Sequence, residues 1–342
     1  MRISDREETI LRAVIDSYVA SARPVSSSAV VRGSSVSLSS ATVRNVMRAL
    51  EEKGLILQPH TSAGRVPTDM GYRYYVDNLV RPAGLSAKEA DSIRSELTRL
   101  AHRDLSGVLA GVSHLVSELS RELAVAVAPS GGGQLIDRVE LIDVGGGRIL
   151  AVVSTDAGPT RTATITAARP PEHNELQRAS GLITEWTCGV RMSDASGVLA
   201  SRSKSSDVVI DDQLDRLIEG VRSCLEPGGD RSVHYDGARY MFRHPEFSSD
   251  ASHLGEILDS DEALAEVVRG PDTIGSVRVV IGHENVRTGM ERMSLVAGTY
   301  RIGGSAARMG VIGPTRMKYS RLMSLVRHLA RALDELFADT GP

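Results

Sequence analysis

Residues 38–68 change hydrophobic period twice. Val43, Val46, Met47 and Leu50 recur at steps of three and four, the spacing of a helix that buries one face. Ser39 or Ser40 stands where a side-chain oxygen can accept first-turn backbone N–H groups, and Gly54 supplies a left-handed stop. Residues 55–58 then read as a short apolar strand that Pro59 ends. Residues 60–64 carry a small polar turn, and Arg65, Val66 and Pro67 return as a second strand.

The same periodicity places helices on either side. Ile10, Leu11, Val14, Ile15, Tyr18 and Val19 form one apolar stripe of a first helix, with Asp5 as its expected cap and Arg23-Pro24 as its break. Residues 25–32 predict a short second helix, and Thr68 caps another that carries Tyr72, Tyr75, Val76 and Leu79. Arg81-Pro82-Ala83-Gly84 interrupts the pattern and marks a domain boundary. Three helices followed by a strand pair is the order of a winged helix-turn-helix.

Beyond the boundary, Ser86 and Glu89 make a capping box that opens a long amphipathic stretch from Leu97 to Leu123, interruptible at Ser106-Gly107. The bland reading is a core-covering helix, and the sharper one a helix that also serves a dimer. Strands are expected at 139–144, 149–153 and 161–167, with Gly145-Gly146-Gly147 as a hairpin turn. Residues 172–187 and 207–224 have helical spacing, residues 191–206 have no definite period, and 252–268 is again helical. Strands at 277–282, 294–301 and 307–312 precede a terminal helix over 319–337. The two groups of strands, separated by mainly helical sequence, suggest one sheet domain interrupted by an insertion.

Composition narrows the function classes. Only 4% of the residues are aromatic while 41% are hydrophobic, which fits a soluble globular protein packed on aliphatic side chains, and the mixture of helical and strand periods makes the expected class α+β. No run is long enough to span a membrane and no signal-peptide core follows Arg2, so a cytoplasmic location is expected. Cys188 and Cys224 have no metal-ligand or redox spacing. The nine histidines show no HExxH or H-x3-H spacing, and neither glycine triplet leads into a phosphate-loop helix, so no cofactor, metal or catalytic residue is expected. His283, Glu284 and Arg287 could line a pocket, although polar loop residues explain them more simply. Charge is mildly uneven: residues 1–80 hold ten Lys/Arg against eight Asp/Glu, and the rest of the chain has the opposite balance. Because four of the 40 basic residues are lysine, arginine is the chain-wide habit, and its placement matters more than its presence.

Placement is informative on the helix after Ser39. Its core face is apolar, and the opposite face carries Ser40, Arg44, Asn45 and Arg48, groups that reach phosphates and base edges in a major groove. We therefore expect a DNA-recognition helix with Ser39, Ser40, Thr42, Arg44, Asn45 and Arg48 at the duplex. The hairpin would act as a wing touching the neighbouring backbone through His60, Thr61, Ser62 and Arg65, and Arg73 is a further candidate phosphate contact. On this reading Arg65→Ala weakens binding to all sequences alike and flattens the salt dependence.

SSATVRNVM, LEEKGLI, PHTSAGRVPT and GYRYYVD together resemble the amino-terminal signature of the HrcA family of heat-inducible transcription repressors. IGHENV, SLVAGTY and GVIGPTRMKYSR extend the likeness near the other end, and YDGARYMFRHPEF is similar to a further family segment with its second glycine and Ser-Asn pair replaced. The resemblance implies a winged-helix domain over 1–82, a GAF-like sheet domain over 86–188 and 262–342, and an inserted dimerisation domain over 189–261. It also implies a homodimer that binds an inverted-repeat double-stranded DNA element upstream of chaperone operons and is kept active by the GroE chaperonin. Two other readings stay open: an enzyme or ligand sensor using a pocket in the sheet domain, and a winged helix that docks only protein.

Overall fold

The computed structural model describes residues 2–338 apart from 34–37, 62, 82, 101–102, 104, 129–133, 157–159, 168, 171, 206–210, 226–232, 248–254, 256, 259, 271–272, 274, 288 and 303–304. The chain divides into two compact units. The larger comprises Met1–Val127, Ser232–Tyr300 and Arg308–Leu336, and the smaller comprises Ala128–Arg231, Arg301–Ala307 and Phe337–Pro342.

In the larger unit, α1 (Asp5–Ser21), α2 (Ser27–Gly33) and α3 (Ser40–Glu52) precede the hairpin β1 (Ile56–Leu57) and β2 (Val66–Pro67). The stripes anticipated from periodicity are buried: Ile10, Leu11, Val14 and Ile15 on α1 meet Val43, Met47 and Leu50 on α3 in the interior of this head. The cap of α1 is Ser4 rather than Asp5. The Ser4 hydroxyl accepts from the Glu7 N–H, and the Glu7 carboxylate accepts from the Ser4 N–H at 2.8 Å, a reciprocal box that leaves Asp5 in the first turn. Thr68 caps α4 (Asp69–Tyr74), which continues into one π-helical turn (Tyr75–Leu79).

The rest of this unit is built on a five-stranded sheet of order β7-β3-β10-β9-β8. The strands are β3 (Leu123–Val127), β7 (Val233–Asp236), β8 (Val277–Ile281), β9 (Met293–Ile302) and β10 (Ser305–Pro314), with antiparallel pairing of β10 to β3, β3 to β7 and β8 to β9. Leu123, Val125 and Val127 point to one face, where α10 (Ala238–Met241) and α11 (Asp261–Val267) close a core with Met241, Phe247, Leu264, Leu295 and Ile312. On β9, Gly298 lets α12 (Tyr319–Ala338) approach, since a Cβ there would sit 2.6 Å from Val326.

The amphipathic stretch expected to reach Leu123, with an interruption possible at Ser106-Gly107, is two helices, α5 (Ala87–Leu100) and α6 (Leu105–Ser120), with the break ahead of Leu105. Leu123 opens β3 instead. Every residue of β3 is buried, so its run is continuously apolar, and such a run carries no period to separate strand from helix.

The smaller unit has its own three-stranded antiparallel sheet, β4 (Ile136–Gly145), β5 (Arg148–Thr155) and β6 (Arg161–Thr166), in the order β4-β5-β6. It packs α7 (His173–Thr187), α8 (Met192–Ser205) and α9 (Asp212–Leu225) around Val139, Ile149, Ile183, Leu199 and Leu217. This corrects the expectation of one sheet shared by residues 139–167 and 277–312. The division at 86–188, 189–261 and 262–342 falls with it: the segment between β3 and β7 is the separate body, and β7, α10 and α11 belong with the larger unit. Alternation within a strand reports which face is buried, not which distant strand it pairs with. No helix among the described residues is long and apolar enough to cross a membrane.

Candidate nucleic-acid interface

The first turn of α3 is held from two sides. Ser39 accepts the Thr42 N–H at 3.1 Å and meets the Thr42 hydroxyl at 2.9 Å, while Ser40 lies 2.9 Å from the Ser27 hydroxyl of α2. With Val43, Met47 and Leu50 buried beneath, the helix has little rotational freedom about its axis. Its outer face presents Arg44, Asn45 and Arg48, all exposed. Among the described residues none of these three side chains has a hydrogen-bond or ion-pair partner. Two guanidinium forks one helical turn apart, with a carboxamide between them, offer donors suited to guanine and adenine edges and to phosphate oxygens.

The hairpin is anchored at its base and open at its tip. Val25 and Arg65 exchange two backbone hydrogen bonds of 2.8 Å, and a Cβ on Gly64 would sit 2.5 Å from the Val25 backbone. The Gln58 amide donates to the carbonyls of Thr61 (2.8 Å) and Ala63 (3.0 Å), so the tip is shaped from within. His60 and Thr61 are exposed there, and Ser62 lies outside the described residues.

Two predicted contacts are turned inward. Arg65 does not reach out from the wing: its Nε donates to Glu51 at 3.0 Å and its other nitrogen lies 2.8 Å from the same oxygen, with the side chain 19% exposed. Its charge is spent tying β2 to the end of α3. Arg73 is likewise not a free phosphate ligand. It grips Glu284 through two bonds of 2.8 and 2.5 Å, and it also donates to the Val279 carbonyl at 2.8 Å and to Asp77 at 3.1 Å. The hydrogen bonds it donates to Glu284 hold the Arg73 guanidinium firmly in its charged form. Burial acts to raise the Glu284 carboxyl, but the Arg73 hydrogen bonds and the Ile281 N–H outweigh it and leave it below the usual range.

Several contributors escaped the sequence reading. Gln58 shapes the wing tip, Glu51 masks Arg65, and Arg23 is exposed two residues before the Val25–Arg65 bridge. Glu51 was readable only as the acidic end of a helix. Its pairing needed the hairpin's return path.

Residues 106–323 match the family described as HrcA protein C terminal domain. Over 338 residues the chain is 32% identical to the heat-inducible transcription repressor HrcA of Geobacter sulfurreducens, covering 98% of each. It is 34% identical over 347 residues to the repressor of the same name from Moorella thermoacetica, again covering 98% of each. Among solved structures, a hypothetical protein whose crystal structure was determined at 2.2 Å resolution is similar in fold, with a TM-score of 0.59, 23% identity, and coverage of 99% of this chain and 100% of that one.

Proposed function

We propose, from the premise that this chain belongs to the HrcA family of heat-inducible transcription repressors, that its amino-terminal head is a winged helix-turn-helix reading an inverted-repeat operator upstream of chaperone operons as part of a homodimer. The observation that carries this reading is the outer face of α3, where Arg44, Asn45 and Arg48 are exposed and have no side-chain partner among the described residues, above an inner face that buries Val43, Met47 and Leu50. A protein-docking helix has no need of two unpaired guanidinium groups one turn apart.

Ser39, Ser40 and Thr42 stand at the helix N-terminus, where hydroxyls and backbone N–H groups suit phosphate oxygens. His60 and Thr61 at the hairpin tip reach the adjacent backbone or minor groove. A single head offers only about three to five side chains to the bases, so specific affinity comes from doubling on a two-fold site. The five-stranded sheet with α5, α6 and α10–α12 is read as the GAF-like domain, and the smaller unit as the inserted dimerisation domain. The GroE chaperonin keeps the repressor active, so that unfolded protein, by occupying it, relieves repression.

Footprinting the intact chain on the promoters of its own chaperone operons tests the proposal. Protection of two half-sites related by a dyad is the expected result. Uniform, salt-sensitive protection without a preferred site would overturn it.

A further inference from the structure

The IGHEN segment at the end of β8, read from sequence as polar loop residues, is a socket for the head. Asp69 and Arg73 stand one turn apart on α4 and both enter it. One Asp69 oxygen receives the His283 N–H at 2.9 Å and lies 2.7 Å from His283 Nδ1. Arg73 is held by both oxygens of Glu284, and Glu284 also accepts the Ile281 N–H at 2.9 Å. Gly282 has φ +51°, and a Cβ there would lie 2.1 Å from the Asp69 carboxylate, so only glycine admits this approach. Asn285 then fixes the socket's backbone by donating to the carbonyls of Gly282, Met290 and Met293 at 2.7 to 3.0 Å.

The far side of α4 and its π-helical turn is bolted to α1. Tyr74 donates to Glu8 at 2.7 Å, Tyr75 donates to Asp16 at 3.0 Å, and Arg12 donates to the Leu79 carbonyl at 2.6 Å. Since α1 carries α3 on its apolar face, whatever orients α4 orients α3.

We infer that the Asp69–His283 and Arg73–Glu284 contacts are a positioning latch that holds the recognition helix at one fixed direction relative to the sheet, and so sets the half-site spacing the protein accepts. Bidentate ion pairs and short hydrogen bonds are more strictly directional than the neighbouring Tyr72–Tyr319 ring contact at 5.8 Å, so they define an angle as well as an attachment. Release leaves the head attached through the Tyr72–Tyr319 contact and through Ser320, which donates to the Arg81 carbonyl and accepts the Ala83 N–H, with less to fix its direction and so its half-site spacing. The inference rests on the operator reading above.

The test uses intact chain, Glu284→Gln and Asp69→Asn variants, and a duplex selected from a randomised library by retention on the intact chain. That duplex is remade with one or two base pairs added to or removed from between the half-sites. Far-ultraviolet circular dichroism confirms that each variant is folded, and Arg73→Lys supplies a conservative comparison. Each base pair moves a half-site about 3.4 Å and turns it by about 35°. We expect the intact chain to lose roughly tenfold in affinity per step, and the Gln and Asn variants to lose about threefold or less while binding the original duplex more weakly. Arg73→Lys, which keeps the charge but loses the fork, should fall between them. A variant profile as sharp as that of the intact chain overturns the latch and leaves the operator reading standing. Tighter binding of the original duplex by the variants also overturns it, because the contacts would then hold the head away from DNA. Failure of the intact chain to select any duplex removes the operator reading itself, and the latch with it.

Discussion

Arg44, Asn45 and Arg48 share a helix face, but different chemistry is asked of each. A residue that pairs with base edges discriminates, whereas one that pairs with phosphate binds every sequence alike. Arg44→Ala and Asn45→Ala should therefore cost about 1–3 kcal/mol of discrimination for each base-edge pairing removed, read as the ratio of specific to non-specific competitor in a gel-shift titration. An unchanged ratio for Arg44→Ala would move the reading face elsewhere on α3. Arg48→Ala should lower the slope of log affinity against log salt by about one, as expected when a single phosphate ligand is removed. Arg65→Ala should leave that slope near the parent value, because Glu51 already neutralises the guanidinium. This reverses the expectation drawn from sequence alone, and the two variants measured side by side over a salt series decide between them.

At the scale of elements, the head depends on small residues and caps more than on its charges. Gly71 of α4 lies against Leu55, the residue that leads into β1: a Cβ there would stand 2.0 Å from the Leu55 carbonyl oxygen, a backbone atom that cannot swing aside. Gly71→Ala should therefore destabilise the larger unit by about 1–3 kcal/mol or more, and Ser39→Ala by about 1 kcal/mol through loss of the α3 cap. Urea denaturation followed by circular dichroism would show both, and a neutral Gly71→Ala would mean that the hairpin can shift away from α4. Where structure is local, the sequence shows it. The stripes of α1 and α3, the Ser39 and Thr68 caps and the β1–β2 turn are all written within a few residues of where they act. Where it is distant, the sequence is silent. Arg73 on a helix surface has the same local pattern whether its partner is a phosphate or a glutamate far along the chain. The LAVAV run of β3 has no period, and the Ser-, Ala- and Gly-rich stretch that forms α8 has too weak an apolar stripe to announce a helix. The separation of β4–β6 from the five-stranded sheet is a choice of partners that no single strand encodes.

Across the larger unit, acid–base pairs join segments far apart in sequence: Glu7 with Lys53, Glu246 with Arg316, and Glu284 with Arg73. Each of the three carboxyls lies below its ordinary value. The hydrogen bond from Lys53 dominates at Glu7, whereas at Glu246 and Glu284 burial acts in the raising direction and is outweighed by the arginine. A carboxyl depressed in the folded state binds its proton more readily in the unfolded chain. Its contribution is therefore complete above the unfolded value of about 4.3 and is lost as pH falls through the lower folded value. Acid should thus loosen this unit by cancelling these cross-chain pairs as pH falls below the unfolded carboxyl value. Among the described residues the charged and titratable groups near Glu284 include Arg73, Asp77, Asp69, His283 and Tyr319, and of these only Arg73 bonds its carboxylate directly. Glu284→Gln should consequently be less stable than the parent at pH 7, by an amount reduced because the pair is more than a third exposed on the Glu284 side. The gap should close as the parent's own carboxyl takes up its proton, and urea midpoints measured from pH 7 down to the acid transition follow it directly. A gap that stayed constant across the range would mean that the glutamine is disruptive through its shape, and that the charge of Glu284 contributes nothing to holding α4 on the end of β8.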